Sequence, residues 1–290
     1  MKSPAPAAPV VTPHAWQPRP LCDASCVSVG DADASRPVRV ALRVALRIVM
    51  LLLLAPGFLL IMVQLPGQVR VQRIWCRLML RCFGVRMTVT GSPIRNLRGV
   101  LVVSGHTSWV DIFVIGALLP GSFVARADMF SGRATGIVAR GLKLIPIERS
   151  SLRGLPAVVD AAAARLGAGH TVVCFPQGTT WCGLASGPFY PALFQAAIDA
   201  GRPVQPLRLS YHHVDGTVST VPAYVGDETL LQSLSRVLTV RRTLARVHVE
   251  SLQLPGTDRR ALARRCQTAV GAGSPHHSQQ QPGRKHALAA

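Results

Sequence analysis

The sequence predicts an α/β fold: a mainly parallel central sheet with flanking helices, preceded by an N-terminal membrane-associated helical hairpin. Three observations carry this. From about residue 86 onward, short β-branched or apolar runs alternate with helix-like stretches, as in a parallel sheet with helical crossovers. Upstream, no charged residue occurs between Arg47 and Arg70, and 48–63 is almost wholly apolar. Arginines crowd both flanks of that run.

The elements follow in chain order. Residues 1–35 are rich in Pro, Ala and Ser without apolar periodicity, and are expected to be disordered. Residues 36–85 form the expected membrane-embedded or interfacial helical pair. The apolar run is long enough to span a bilayer if straight. However, Pro56-Gly57 interrupts it, where Pro removes a helix hydrogen bond. Arg36, Arg39, Arg43 and Arg47 precede it and Arg70, Arg73, Arg77 and Arg81 follow. Positive charge on both sides favours keeping both ends in the cytoplasm, hence a re-entrant hairpin bent at Pro56-Gly57; the alternative is one ordinary transmembrane helix. The four-residue spacing of the arginines gives each helix a basic stripe suited to anionic headgroups. A cleaved signal peptide is disfavoured, because the run begins far from Met1 with no small-residue cleavage site after it.

Residues 86–255 are the expected catalytic domain. Strands are predicted at 86–90, 100–104, 122–125, 144–147, 171–175 and 204–210, with a further one at 247–250. Helices are predicted at 108–118, 131–142, 152–168, 191–200 and 230–234. Residues 256–290 read as a helix end and a disordered tail of Gly, Ser, Pro, Gln and His.

Composition narrows the partners. The 290 residues carry a formal net charge of +19, which implies an anionic partner: lipid headgroups, an acidic substrate or nucleic acid. Aromatics are only 5%, which argues against a base-stacking surface. The seven cysteines, Cys22, Cys26, Cys76, Cys82, Cys174, Cys182 and Cys266, are odd in number and scattered. Without C-x2-C pairs or a His–Cys ligand set, no zinc site is expected. They read as small buried residues in a reducing cytosol.

Two segments carry the chemistry. His106-Thr107-Ser108-Trp109-Val110-Asp111 follows an apolar strand at a strand-to-helix turn, where α/β folds place ligands. With a helix starting near Thr107, Asp111 can reach one imidazole nitrogen and leave the other free as a base. His and Asp near helix starts also serve as caps, so the pair alone does not decide. In Phe175-Pro176-Gln177-Gly178-Thr179-Thr180, a buried strand breaks into a turn where Gly178 admits close backbone approach and Thr179 and Thr180 add hydroxyls. This suits an anion, and it is also a common turn. Between the two segments, Lys143 and Arg149 bracket a short strand as candidate phosphate ligands or surface cations. No P-loop is in register, and no G-x-S-x-G elbow occurs.

Taken together and in this order, the segments resemble the glycerolipid acyltransferases, the group containing bacterial 1-acylglycerol-3-phosphate acyltransferase. His106 and Asp111 match the family's His-x4-Asp, and Ile147-Glu148-Arg149 its Ile-x-Arg block. Phe175 to Thr179 match its Phe-Pro-Glu-Gly-Thr, and Val204-Gln205-Pro206-Leu207 its apolar Pro block. The match covers roughly residues 40–212. The resemblance implies a membrane-associated O-acyltransferase using acyl-CoA or acyl carrier protein, with no metal or other cofactor, its catalytic domain on the cytoplasmic side of the membrane. His106 is then the base and Asp111 its partner. Arg149, Lys143, Gln177, Gly178, Thr179 and Thr180 become candidate substrate contacts, and the acceptor is a lysophospholipid, foremost 1-acylglycerol-3-phosphate. Gln177 stands where the family has Glu, which raises two alternatives: another lysolipid such as lyso-ornithine lipid, or a catalytically weak membrane-tethered anion-binding protein. No nucleic-acid partner is expected.

Overall fold

The computed structural model describes residues 18, 22–27, 37–62, 67–93, 98–127, 136, 142–148 and 152–271. Its centre is a seven-stranded sheet of β1 (Val85–Gly91), β2 (Leu101–Ser104), β3 (Ser122–Arg126), β4 (Ile145–Ile147), β5 (Val172–Cys174), β6 (Val204–His212) and β7 (Thr243–Val249). The spatial order is β1-β7-β6-β2-β5-β3-β4. Every neighbouring pair is parallel except β6–β7. β2 and β5, at the centre, are buried along their whole length. β7 instead alternates buried and more exposed positions, the mark of a strand covered mainly on one face.

Two apolar layers lie on the two faces. Successive side chains of a strand point oppositely, so Val102 joins one layer while Leu101 and Val103 join the other. The first layer holds α3 (Gln68–Cys82), α4 (Val110–Leu118) and α7 (Leu230–Thr239); the second holds α5 (Leu155–Gly167), α6 (Phe194–Asp199) and α8 (Arg259–Gly271). α4 is buried on nearly all sides, and its contact with α3 is close. A Cβ on Gly116 would stand 2.9 Å from Cys76 Sγ, so only Gly permits this approach. α8 is a full helix that buries Leu262, Ala263 and Cys266, more than the helix end expected there. The predicted helix at 131–142 and the tail at 272–290 fall outside the described residues, apart from Gly136 and Leu142.

Pro56 has no N–H to donate, and the apolar run is divided there into α1 (Pro37–Leu54) and α2 (Gly57–Met62). α3 packs against both. Trp75 of α3 fixes the junction: its indole N–H donates to the terminal Leu54 carbonyl at 3.1 Å, and its ring meets Phe58 and Phe113 at 5.8 Å each. Among the described residues, no helix is long and apolar enough to cross a membrane. α1 packs on the domain through α3 and α7. Two arginines of the basic stripe of α1 also bind inward. Arg47 donates to the Leu238, Val240 and Arg241 carbonyls at 2.7, 2.7 and 2.8 Å, and Arg43 to the Thr239 carbonyl at 3.1 Å. These guanidinium groups satisfy the last carbonyls of α7 and complement its negative end. Besides the exposed Arg39, α1 leaves uncovered an apolar row at helical spacing, Val38, Leu42, Leu46, Val49 and Leu53.

Candidate active site

His106 and the Phe175–Thr180 turn follow β2 and β5, adjacent parallel strands, so both emerge at the same carboxyl edge of the sheet. The sequence between His106 and α4 does not become helical at once. α4 starts at Val110, and residues 106–108 instead curl around the side chain of Asp111 in its first turn. Asp111 Oδ2 accepts from the Thr107 N–H at 2.8 Å, the Ser108 N–H at 2.9 Å and His106 Nδ1 at 2.9 Å. The carboxylate is wholly buried, and it sits at the positive end of α4.

This geometry fixes the imidazole. An ionised carboxylate only accepts, so Nδ1 carries a proton toward Asp111 and Nε2 presents its lone pair. The His106 side chain is 14% exposed, enough for one edge to be reached. Its face stacks on Phe175, with ring centroids 3.9 Å apart and planes 13° from parallel. The main chain is held separately: the His106 N–H donates to Gln177 Oε1 at 2.8 Å, and its carbonyl accepts from the Trp181 N–H at 2.8 Å.

Tyr211 is a member of the site that sequence reasoning missed. Its hydroxyl donates to Asp111 Oδ1 at 2.6 Å. Burial, and then the adjacent carboxylate, push its phenol well above the ordinary tyrosine range, so it remains a donor. The available signal was phase: Tyr211 shares a face of β6 with Leu207 and Leu209, and a buried tyrosine hydroxyl needs a partner.

Gln177 makes two hydrogen bonds within the site. It is 3% exposed, its oxygen is taken by His106 N–H, and its Nε2 donates to the Gly187 carbonyl at 3.2 Å. One acceptor and one donor are both used, which also fixes which end of the amide is which. Glu at this position keeps the acceptor but sets a second oxygen against the Gly187 carbonyl. Gln177→Glu is therefore expected to lower stability by about 1–3 kcal/mol, with no change in the ranking of acceptors; thermal unfolding and an acceptor panel measure the two.

The remaining expected residues separate into three groups. Gly178 adopts φ +70°, a left-handed conformation suited to glycine, and its N–H closes the turn onto the Phe175 carbonyl at 3.1 Å. Gly178, Thr179 and Thr180 are half-buried in the turn that the His106 carbonyl joins through the Trp181 N–H, and the Thr180 hydroxyl donates to the Tyr224 carbonyl. Lys143 is not brought to them. It precedes β4, so it lies toward the amino edge of the sheet, and β4 is three strand spacings from β2, about 14 Å. Arg149 falls outside the described residues. Arg126 ends β3 at the same carboxyl edge as His106 and is exposed, a cation the sequence reading passed over.

The comparisons with known proteins identify the family. The acyltransferase family model matches residues 86–210, which contain His106, Asp111 and the 175–180 turn. The chain is 32% identical over 209 residues to a lyso-ornithine lipid O-acyltransferase of Pseudomonas aeruginosa, spanning 71% of this chain and 78% of that one. It is 36% identical over 149 residues to a 1-acyl-sn-glycerol-3-phosphate acyltransferase of Neisseria meningitidis, spanning 51% of this chain and 58% of that one. In fold it resembles the crystal structure of the 1-acyl-sn-glycerophosphate acyltransferase of Thermotoga maritima, with TM-score 0.56 at 16% identity, over 82% of this chain and 95% of that one. With the His106–Asp111 pair seated at the carboxyl edge of the sheet and these relatives beside it, the chain belongs to the glycerolipid acyltransferase family.

Proposed function

We propose that the protein is a lysolipid O-acyltransferase that moves an acyl chain from a thioester donor, acyl-CoA or acyl carrier protein, to a free hydroxyl. The observation that carries the reading is the His106 imidazole, oriented through Nδ1 by a buried carboxylate with Nε2 left as a base. Nε2 takes the proton of the acceptor hydroxyl, and the oxygen attacks the thioester carbonyl. The tetrahedral oxyanion collapses with loss of the thiolate, which recovers the proton from the imidazolium. Asp111 stabilises that imidazolium, and Phe175 limits the ring's rotation. The acceptor headgroup is placed at the 178–180 turn, with Arg149 and Arg126 as cations for it. The exposed apolar row of α1 is assigned to the acyl region of an anionic membrane surface, with the site on the cytoplasmic side.

Two acceptors fit, 1-acylglycerol-3-phosphate and lyso-ornithine lipid. The second is favoured by one observation: relatives bearing that name match over as much as 81% of this chain, against 51% for the phosphate-acceptor relatives. The deciding experiment incubates the purified full chain with labelled acyl-CoA and acyl carrier protein against a panel of both acceptors. Transfer to either supports the assignment and identifies the substrate. No transfer to any lysolipid, with retained binding to anionic vesicles, replaces it with a membrane-tethered binding protein.

A further inference from the structure

The sequence offered no metal site, yet three thiols converge at the edge of the catalytic motif. The Sγ atoms of Cys22, Cys26 and Cys182 all lie within 4.8 Å of one another. Cys22 and Cys26 are spaced C-x3-C across the short 3-10 turn Ala24–Cys26, and Cys182 comes from the loop two residues after Thr180. This spacing falls within the range that zinc-binding cysteine pairs use; the third member is invisible in sequence because it is supplied by the fold. None of the three is in a disulfide.

We propose that Cys22, Cys26 and Cys182 form a binding site for a thiophilic divalent cation of the Zn2+ kind. Tetrahedral thiolate coordination at about 2.3 Å sets sulfur atoms about 3.8 Å apart, so the trio closes onto an ion by a contraction of about 1 Å. Each ligating thiol releases its proton to solvent. Cys22 and Cys182 are buried in an apolar pocket with Trp181, Ala223 and Val225, while Cys26 is half-buried and gives the ion its entry. The fourth position goes to solvent or to Asp23, whose Oδ1 is 4.0 Å from Cys26 Sγ.

The position of the site gives it a consequence. It fastens the N-terminal segment to the loop that carries the 175–180 turn. Four residues before Cys22, Pro18 already lies on Gly178: a Cβ there would come within 2.6 Å of Pro18 Cγ. Cation binding thus holds Pro18 beside the surface assigned to the acceptor. The inference does not depend on that assignment, because its test reads metal and not turnover.

The test is anaerobic titration of the reduced full chain with Co2+, followed by competition with Zn2+. A thiolate-to-cobalt charge-transfer band that saturates at a single equivalent is expected. Cys22→Ser, Cys26→Ser and Cys182→Ser should each abolish the band and weaken Zn2+ binding at least about 10-fold. Cys266→Ser, in a separate apolar cluster, should retain both. Cys26→Ser is the decisive variant, since a half-buried position tolerates serine and its circular dichroism can be matched to the parent. Replacing His276 and His277 with Ala removes adventitious binding by the tail and should leave the band intact. A band that survives Cys182→Ser, the lack of any thiolate band, or a disulfide among these residues that persists with excess Zn2+ would each overturn the proposal.

Discussion

His106→Ala is expected to lower acyl transfer on the order of 10^2–10^4-fold, the usual contribution of a positioned general base. The fold should survive. Both backbone groups of His106 are bonded, to Gln177 and Trp181, and neither bond uses the imidazole. The loop is also held by Thr107 and Ser108 N–H groups on Asp111, which remain. What disappears is the Nε2 base and a stacked ring on Phe175, an exchange that should cost only modest stability. The loss should therefore lie in kcat, with acceptor KM little changed and with thermal unfolding close to the parent's. Near-parental turnover would remove His106 from the chemistry and return it to the role of a loop cap.

Why the pair was legible and its surroundings were not follows from what a linear sequence encodes. The strands could be read because central parallel strands are short apolar runs. Leu101-Val102-Val103 and Val172-Val173-Cys174 announce themselves, and each ends where a chemical residue begins. β7 was placed too late, at 247–250, because its opening residues Thr243-Leu244-Ala245-Arg246 carry little β-branching; its pairing with β1 and β6 extends it to Thr243. The docking of α1 onto the domain was not legible for a related reason. Hydropathy registers the apolar run but not the carbonyls at the end of α7, distant in sequence, that Arg43 and Arg47 bind.

At the site, local spacing gave His106 and Asp111 but not the long-range partners that complete them. Tyr211 and Gln177 act through hydrogen bonds that only the sheet's strand order brings about. Lys143 illustrates the converse: it sits between the two motifs in sequence, and the edge position of β4 takes it away from them. The Cys22–Cys26–Cys182 trio is the same lesson again, since a pair spaced C-x3-C says nothing of a third thiol delivered by a loop.

Asp111→Asn should be the more damaging of the conservative changes, because this carboxylate does two things. It accepts four donors: three on Oδ2 and the Tyr211 hydroxyl on Oδ1. An asparagine side chain offers one oxygen. If that oxygen keeps the Oδ2 position, its NH2 group faces the Tyr211 hydroxyl, whose proton must turn away into a buried region. If the amide flips, three donors lose their acceptor. Either outcome costs about 1–3 kcal/mol for each buried group left unpaired. The second loss is electrostatic. Imidazolium formed during the reaction no longer has an anion beside it, which is worth several kcal/mol in a buried setting and translates to a fall in kcat of about 10^3-fold or more. Tyr211→Phe separates the two effects. It removes one donor and leaves the charge, so stability should fall by about 1–3 kcal/mol while most of the activity persists. Equal activity losses in Asp111→Asn and Tyr211→Phe would mean that Asp111 serves only to shape the loop. A much larger loss in Asp111→Asn, at matched stability, would mean that the buried negative charge itself supports proton transfer at His106.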